Sequence, residues 1–206
     1  MRMGVGDRQV LEAVSVVQKG GVVGYPSETV WGLGVLPRFS GVLSGRKGRE
    51  AGKPLQLSCP DARTALAFFV PSAALLALLE LLPGPLTVVS PGRVECPPEV
   101  APGGLVGVRV PDHGLALALL RETGPLLTSS LNPAGKVAAT TFQEAQAYGL
   151  ADVLLGSGSE EAGGLASTVV QLPPDMSDPA RILRVGAFPV ARLREVLAAC
   201  GMELRA

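Results

Sequence analysis

Nine consecutive residues, Arg46-Lys47-Gly48-Arg49-Glu50-Ala51-Gly52-Lys53-Pro54, hold four cations and one acid in a chain of which only 17% is charged. Two glycines work against helix here, and Pro54 favours an extended exit from Gly52-Lys53. A loop with this composition has two readings: a solvated basic turn, or a cradle for phosphate or carboxylate. Further along, small hydroxyls and cations recur near predicted strand ends: Ser27 and Thr29, Arg109, Thr128-Ser129-Ser130 with Asn132, Ser167 and Thr168, and Arg184. Cations with small hydrogen-bonding groups suit anionic ligands such as a triphosphate and a carboxylate. The set contains no obvious general base. Its chemistry would therefore be positioning and charge stabilisation, as in transfer at phosphorus.

Individually these residues leave alternatives open. Ser27 in Pro26-Ser27-Glu28-Thr29 is a ligand hydroxyl at a strand end or a structural turn. Arg109 faces opposite to Val108 and Val110, and either clamps a carboxylate or pairs with an acid of the protein. Thr128-Ser129-Ser130 also fits a plain polar strand edge. His113 is the single histidine, so a multi-histidine metal site is excluded, and its place beside Asp112 at a helix start reads as structural. Three widely spaced cysteines lack zinc spacing and suggest no disulfide framework. Neither a GxxxxGK[ST] loop nor a dinucleotide turn is present.

The elements that must hold these residues follow from pattern. Asp7 caps a helix over Arg8–Lys19, ended by Gly20-Gly21. Strands are expected over 22–25, 54–58, 86–90, 105–110, 126–129, 153–155, 167–172 and 181–185. Helices are expected over 61–70, 72–82, 114–122 (capped by Asp112), 142–148 (capped by Thr141) and 190–200. Gly156–Gly164 reads as a loop. Strands and helices mix without strict alternation, which predicts an α/β fold: one domain over residues 1–206, a twisted mixed β-sheet flanked by helices.

Composition bounds the function. Residues are 47% hydrophobic, and eighteen basic side chains balance eighteen acidic ones, so global charge gives no drive toward non-specific nucleic-acid binding. The start of the chain lacks a signal-peptide pattern, and the apolar region 65–82 is broken by Pro71 and Glu80. A cytoplasmic protein with no membrane span is expected.

In order and spacing, these segments resemble the YrdC-like threonylcarbamoyl-AMP synthase family. Pro26–Gly34 (PSETVWGLG) is similar to the family's PTETVYGLG. Lys47-Gly48-Arg49 and Lys53-Pro54-Leu55 resemble its KxR and NPL elements, residues 83–87 its PGPLT, and residues 107–113 its GVRVPDH. Ser130-Leu131-Asn132 with Gly135 resembles SxN and the following glycine, residues 167–170 resemble STVVD, and residues 182–186 resemble ILRPG. The chain departs from the family at Ser27 for threonine, Trp31 for tyrosine, Lys53 for asparagine, Leu131 for alanine and Gln171 for aspartate. Ser58 stands where many longer members carry a histidine.

The resemblance implies a nucleotidyltransferase that condenses L-threonine, bicarbonate and ATP into threonylcarbamoyl-adenylate and pyrophosphate. A downstream tRNA threonylcarbamoyl-transferase complex would then use the adenylate for t6A modification of tRNA. It implies Lys47, Arg49, Ser130 and Asn132 as the catalytic set. Lys47, Arg49, Lys53, Ser130 and Arg184 would bind ATP, and Ser27, Arg109, Thr128 and Ser167 would bind L-threonine. Magnesium is implied by the triphosphate, not by a metal motif. The short, single-domain form of the family is implied by a chain that ends soon after residues 182–186. The rival implication is a non-catalytic paralogue that binds double-stranded RNA, tRNA or nucleotide through a basic face.

Overall fold

The computed structural model describes residues 5–48 and 55–205. Helix α1 (Val5–Gln18) buries Val10, Ala13, Val14 and Val17 along one stripe, and Gly20 in the left-handed region turns the chain into β1 (Val23–Tyr25). Strand β2 (Gly32–Val35) returns antiparallel to β1, and a short 3-10 turn leads into α2 (Ser40–Lys47). Then follow β3 (Gln56–Ser58), the short helices α3 (Ala62–Leu66) and α4 (Ala73–Leu79), β4 (Leu86–Pro91) and β5 (Leu105–Arg109). Helix α5 (Gly114–Thr123), β6 (Leu126–Ser130), α6 (Phe142–Tyr148) and β7 (Val153–Leu154) come next. Strands β8 (Thr168–Gln171) and β9 (Ala180–Arg184), helix α7 (Val190–Ala199) and β10 (Leu204–Arg205) complete the order.

The strands form one mixed sheet in the order β10-β9-β8-β4-β5-β3-β6-β2-β1-β7. Its two faces differ in chemistry because strand residues alternate. Leu33 and Val35 of β2, Leu57 of β3, Val106 and Val108 of β5, Leu127 of β6 and Val170 of β8 lie in one core with buried residues of α4 and α7. The partners in register on the other face are largely polar or small: Tyr25 opposite Gly32, Gly32 opposite Ser130, Gly34 opposite Thr128, Thr128 opposite Gln56, and Ser58 opposite Arg109. Helices α1 and α5 cover one part of this second face, burying Val23, Tyr25 and Leu126 with Leu119 and Leu120. The uncovered remainder is the site.

Local signals account for the helix ends. Asp61 caps α3 and Ser72 caps α4 by accepting Thr64 N–H at 2.6 Å and Leu75 N–H at 3.2 Å. Thr141 and Glu144 form a reciprocal capping box on α6. Four expectations need correction. Asp7 does not cap the first helix: α1 begins before it, at Val5, and Asp7 lies in its first turn. Asp112 does not cap α5: His113 occupies the cap position, and no side chain caps it. The helix expected over 61–70 is confined to Ala62–Leu66. Residues 46 and 47 belong to no loop: they form the last turn of α2, which Gly48 closes in the left-handed conformation. Gly41 and Gly45 lower the helix propensity of α2, so packing holds it, with Leu43 and Lys47 buried one turn apart.

Candidate active site

The polar face of the sheet opens onto a cavity of about 720 Å³. Four cations among the described residues line it: Lys47 from α2, Arg109 from β5, Lys136 from the loop after β6 and Arg184 from β9.

Lys47 is only 6% exposed. Its Nζ donates to Ser129 Oγ at 2.9 Å, to the Ser130 carbonyl, and to Asn132 Oδ1 at 3.2 Å, with Ser130 Oγ at 3.5 Å. An ammonium has three protons and no lone pair, so this ring of oxygens engages its protons and fixes its position. The loop that supplies the oxygens is tied down in turn. Ala134 N donates to the Lys47 carbonyl at 3.1 Å, and Ser130 Oγ donates to Asn132 Oδ1 at 2.6 Å. Asn132 Nδ2 donates to the carbonyls of Pro133 and Lys136 at 3.0 and 2.7 Å. The one asparagine of the chain is thus the joint between this loop and α2.

The floor beside it is hydroxylic. The Tyr25 ring leaves β1, crosses β2 and reaches Ser58 Oγ on β3 at 3.2 Å. It can cross because β2 carries no side chain on that face: a Cβ on Gly32 would meet the ring at 2.8 Å, and one on Gly34 at 3.3 Å. Ser58 Oγ lies 2.9 Å from Thr128 Oγ1. Thr87 Oγ1 donates to Gln56 Oε1 at 2.8 Å and lies 2.8 Å from Ser167 Oγ. Arg184 closes the row, donating from Nη2 to Ser167 Oγ and from Nε to the Ser167 carbonyl, both at 3.0 Å. Burial and the charge of Arg109 both push the Arg184 pKa down, so two guanidiniums stand near each other at this part of the cavity.

Arg109 has an internal partner as well. Its Nη2 lies 2.8 Å from Glu28 Oε1, yet the two are misaligned for a hydrogen bond, so both carboxylate oxygens and Arg109 Nε and Nη2 are buried without one. Arg109 still lines the cavity. Ser27, next to Glu28, donates to the Val30 carbonyl at 2.7 Å, lies 3.0 Å from Thr29 Oγ1 and accepts Thr29 N–H at 3.3 Å. Its hydroxyl both shapes the turn and lines the cavity.

Comparison with known proteins gives this arrangement relatives. The family model described as "Telomere recombination", which groups Sua5, YciO and YrdC proteins, matches residues 15–186. The chain belongs to the Sua5/YciO/YrdC family. A threonylcarbamoyl-AMP synthase of Pyrococcus abyssi is 32% identical over 195 residues, covering 90% of this chain and 56% of that protein. One from Pseudomonas aeruginosa is 38% identical over 144 residues, covering 66% of this chain and 77% of that protein. The crystal structure of P. abyssi Sua5 complexed with L-threonine superposes with a TM-score of 0.84 at 26% identity, covering 99% of this chain and 60% of that one. The chain spans little more than half the length of the P. abyssi relative.

Within this Sua5/YciO/YrdC fold, Ser27, Lys47, Arg109, Thr128, Ser130, Asn132, Ser167 and Arg184, all singled out by sequence, line one cavity. Arg49 and Lys53 lie outside the described residues. Arg46, the first cation of the basic stretch, pairs with Asp152 at 2.7 Å and bonds the Leu150 carbonyl at 3.3 Å. Sequence reasoning passed over Tyr25, Gln56, Thr87 and Glu28. The polar alternation of Gln56 and Ser58 around buried Leu57 was the available signal for Gln56.

The donor set also bears on magnesium. No carboxylate lines the cavity among the described residues, and none of those residues form a cluster of three or more metal-ligating side chains. Hydroxyls, an amide oxygen and carbonyls fit an ion that arrives already bound to a triphosphate better than a resident one. No described helix is long and apolar enough to cross a membrane.

Proposed function

We propose that the chain is a threonylcarbamoyl-AMP synthase, condensing L-threonine, bicarbonate and MgATP into threonylcarbamoyl-adenylate and pyrophosphate for t6A modification of tRNA by a downstream transferase. One observation carries the reading: a single cavity combines a buried, oxygen-ringed lysine with two guanidiniums and a hydroxylic floor. The names of the relatives point the same way.

The chemistry asks for such a set. A threonyl carbamate attacking an α-phosphate brings two anions together, and fixed cations must offset their repulsion. Lys47 supplies one charge from a position held by Ser129, Ser130 and Asn132, so little reorganisation is needed as charge develops. Asn132 acts here as the residue that positions Lys47. Arg109, with Arg184 nearby, receives the amino-acid carboxylate, and the hydroxyl floor receives its amine and side-chain hydroxyl. Magnesium enters with ATP as part of the substrate and screens the triphosphate charge.

The test is to incubate the protein with ATP, magnesium, labelled bicarbonate and L-threonine while following pyrophosphate and the labelled adenylate. Product that requires both threonine and bicarbonate is expected. A folded protein that makes none, and instead binds double-stranded RNA with an affinity falling steeply with salt, is the outcome that overturns the proposal.

A further inference from the structure

The hydroxyl row on the cavity floor has a direction, and Gln56 sets it. A guanidinium can only donate, so Arg184 donates to Ser167 Oγ. Thr87 spends its one proton on Gln56 Oε1 at 2.8 Å. In the 2.8 Å contact between Ser167 and Thr87, Ser167 must therefore be the donor. From the other side, Thr128 Oγ1 donates to the Gln56 carbonyl at 3.1 Å. Ser58 is then the donor to Thr128 at 2.9 Å, and Tyr25 is the donor to Ser58 at 3.2 Å. Burial raises the Tyr25 pKa, which keeps that phenol a neutral donor. Two proton-ordered rows thus run inward from opposite sides and end on the two oxygens of one residue.

The consequence is chemical selectivity. Ser167, Thr87, Ser58 and Thr128 each have their proton engaged within the protein, and all four line the cavity. What they can still offer a ligand is lone pairs. The two N–H bonds of the Gln56 amide face Ser58 and Thr128 at 3.5 Å, long contacts that leave the hydroxyl protons where they are.

We propose that Gln56 is a specificity-determining residue: by taking the proton of Thr87 on its side chain and that of Thr128 on its carbonyl, it makes this floor an acceptor surface. Such a floor selects an amino acid whose side-chain hydroxyl donates. The inference rests on the threonine-binding reading above and extends it, since it assigns the direction of the bond and the residue that fixes it. A side chain with an ether or fluorine in place of the hydroxyl would face acceptor against acceptor along the row, with no hydroxyl proton free to turn.

Calorimetric binding of three ligands tests this: L-threonine, O-methyl-L-threonine and the near-isosteric L-2-amino-3-fluorobutanoate. Wild-type protein should bind both analogues at least about tenfold more weakly than L-threonine, in line with the cost of leaving a buried polar partner unpaired. Gln56→Leu removes the side-chain acceptor and frees Thr87 to donate, so the penalty for the fluoro analogue should shrink to within about threefold. Gln56→Glu keeps an acceptor facing Thr87 and should keep the discrimination. Equal wild-type binding of L-threonine and the fluoro analogue would overturn the inference while leaving the proposed function standing, as would undiminished discrimination in folded Gln56→Leu. No binding of L-threonine by wild-type protein overturns both. If Gln56→Leu fails to fold, the wild-type and Gln56→Glu comparisons decide.

Discussion

The Glu28 carboxylate approaches the Arg109 guanidinium to 2.8 Å with both groups largely removed from solvent, yet misaligned for a hydrogen bond. Each charge is held mainly by the other, so removing one strands the other. Glu28→Gln should destabilise the protein by about 3 kcal/mol, and Arg109→Met by a similar amount. The double variant should recover much of that loss, because no buried charge then remains. A double-mutant cycle by urea denaturation measures the coupling. Additive effects would mean that the two side chains do not depend on each other.

Lys47 calls for a different expectation from an exposed loop cation. Its ammonium holds Ser129, Ser130 and Asn132 together and is itself buried. Lys47→Met should abolish adenylate formation and also lower stability by about 2 kcal/mol, since charge-assisted bonds are lost and their acceptors are left partly buried. Thermal unfolding alongside the turnover assay checks both.

Gly186, two residues after Arg184, allows the closest backbone approach of any described glycine. A Cβ there would sit 2.1 Å from the Ala166 carbonyl oxygen and 2.4 Å from the Ser167 carbonyl carbon, both backbone atoms that cannot rotate away. Gly186→Ala should therefore push the segment after β9 off Ser167, costing at least about 2 kcal/mol. L-Threonine affinity should fall as well, because Arg184, two residues earlier at the end of β9, donates to Ser167. Unfolding and calorimetry provide the readouts.

His113 gives stability a pH dependence of known sign. Burial lowers its pKa despite the nearby acids Glu160, Glu28 and Asp112, and Nδ1 is buried without a partner. A histidine depressed in the folded state contributes stability that is present above its unfolded value, about 6.5, and is lost as pH falls through the lower folded value. The melting temperature should decline over that window in wild-type protein and decline less in His113→Asn. As the chain has one histidine, its titration can be followed by NMR without assignment ambiguity.

Sequence made most of the site legible, because the motifs that carry its cations and hydroxyls lie on strands, where alternation already says which residues share a face. Thr128 and Ser130 share a face by alternation along β6, and Ser58 and Arg109 needed only register to meet. Lys47 was found by type but misplaced in structure: the glycines around it lower helix propensity, and the burial of Leu43 and Lys47 that overrides this is tertiary. Glu28 was invisible for a similar reason, since an acid in a polar turn shows no sign of the strand arginine it meets. Tyr25 reads from sequence as a strand-end aromatic. Only the register of Gly32 and Gly34 shows a ring laid across a bare strand.

The floor of the cavity draws on both halves of the chain, with single bonds joining residues 80 or more positions apart. No contiguous fragment contains it, so the pocket forms only when distant strands pair, at the entropic cost of closing long loops. A bound substrate would therefore act as a staple across the whole sheet. Its affinity would add to global stability through mass action, and amide exchange should slow in strands that never touch it.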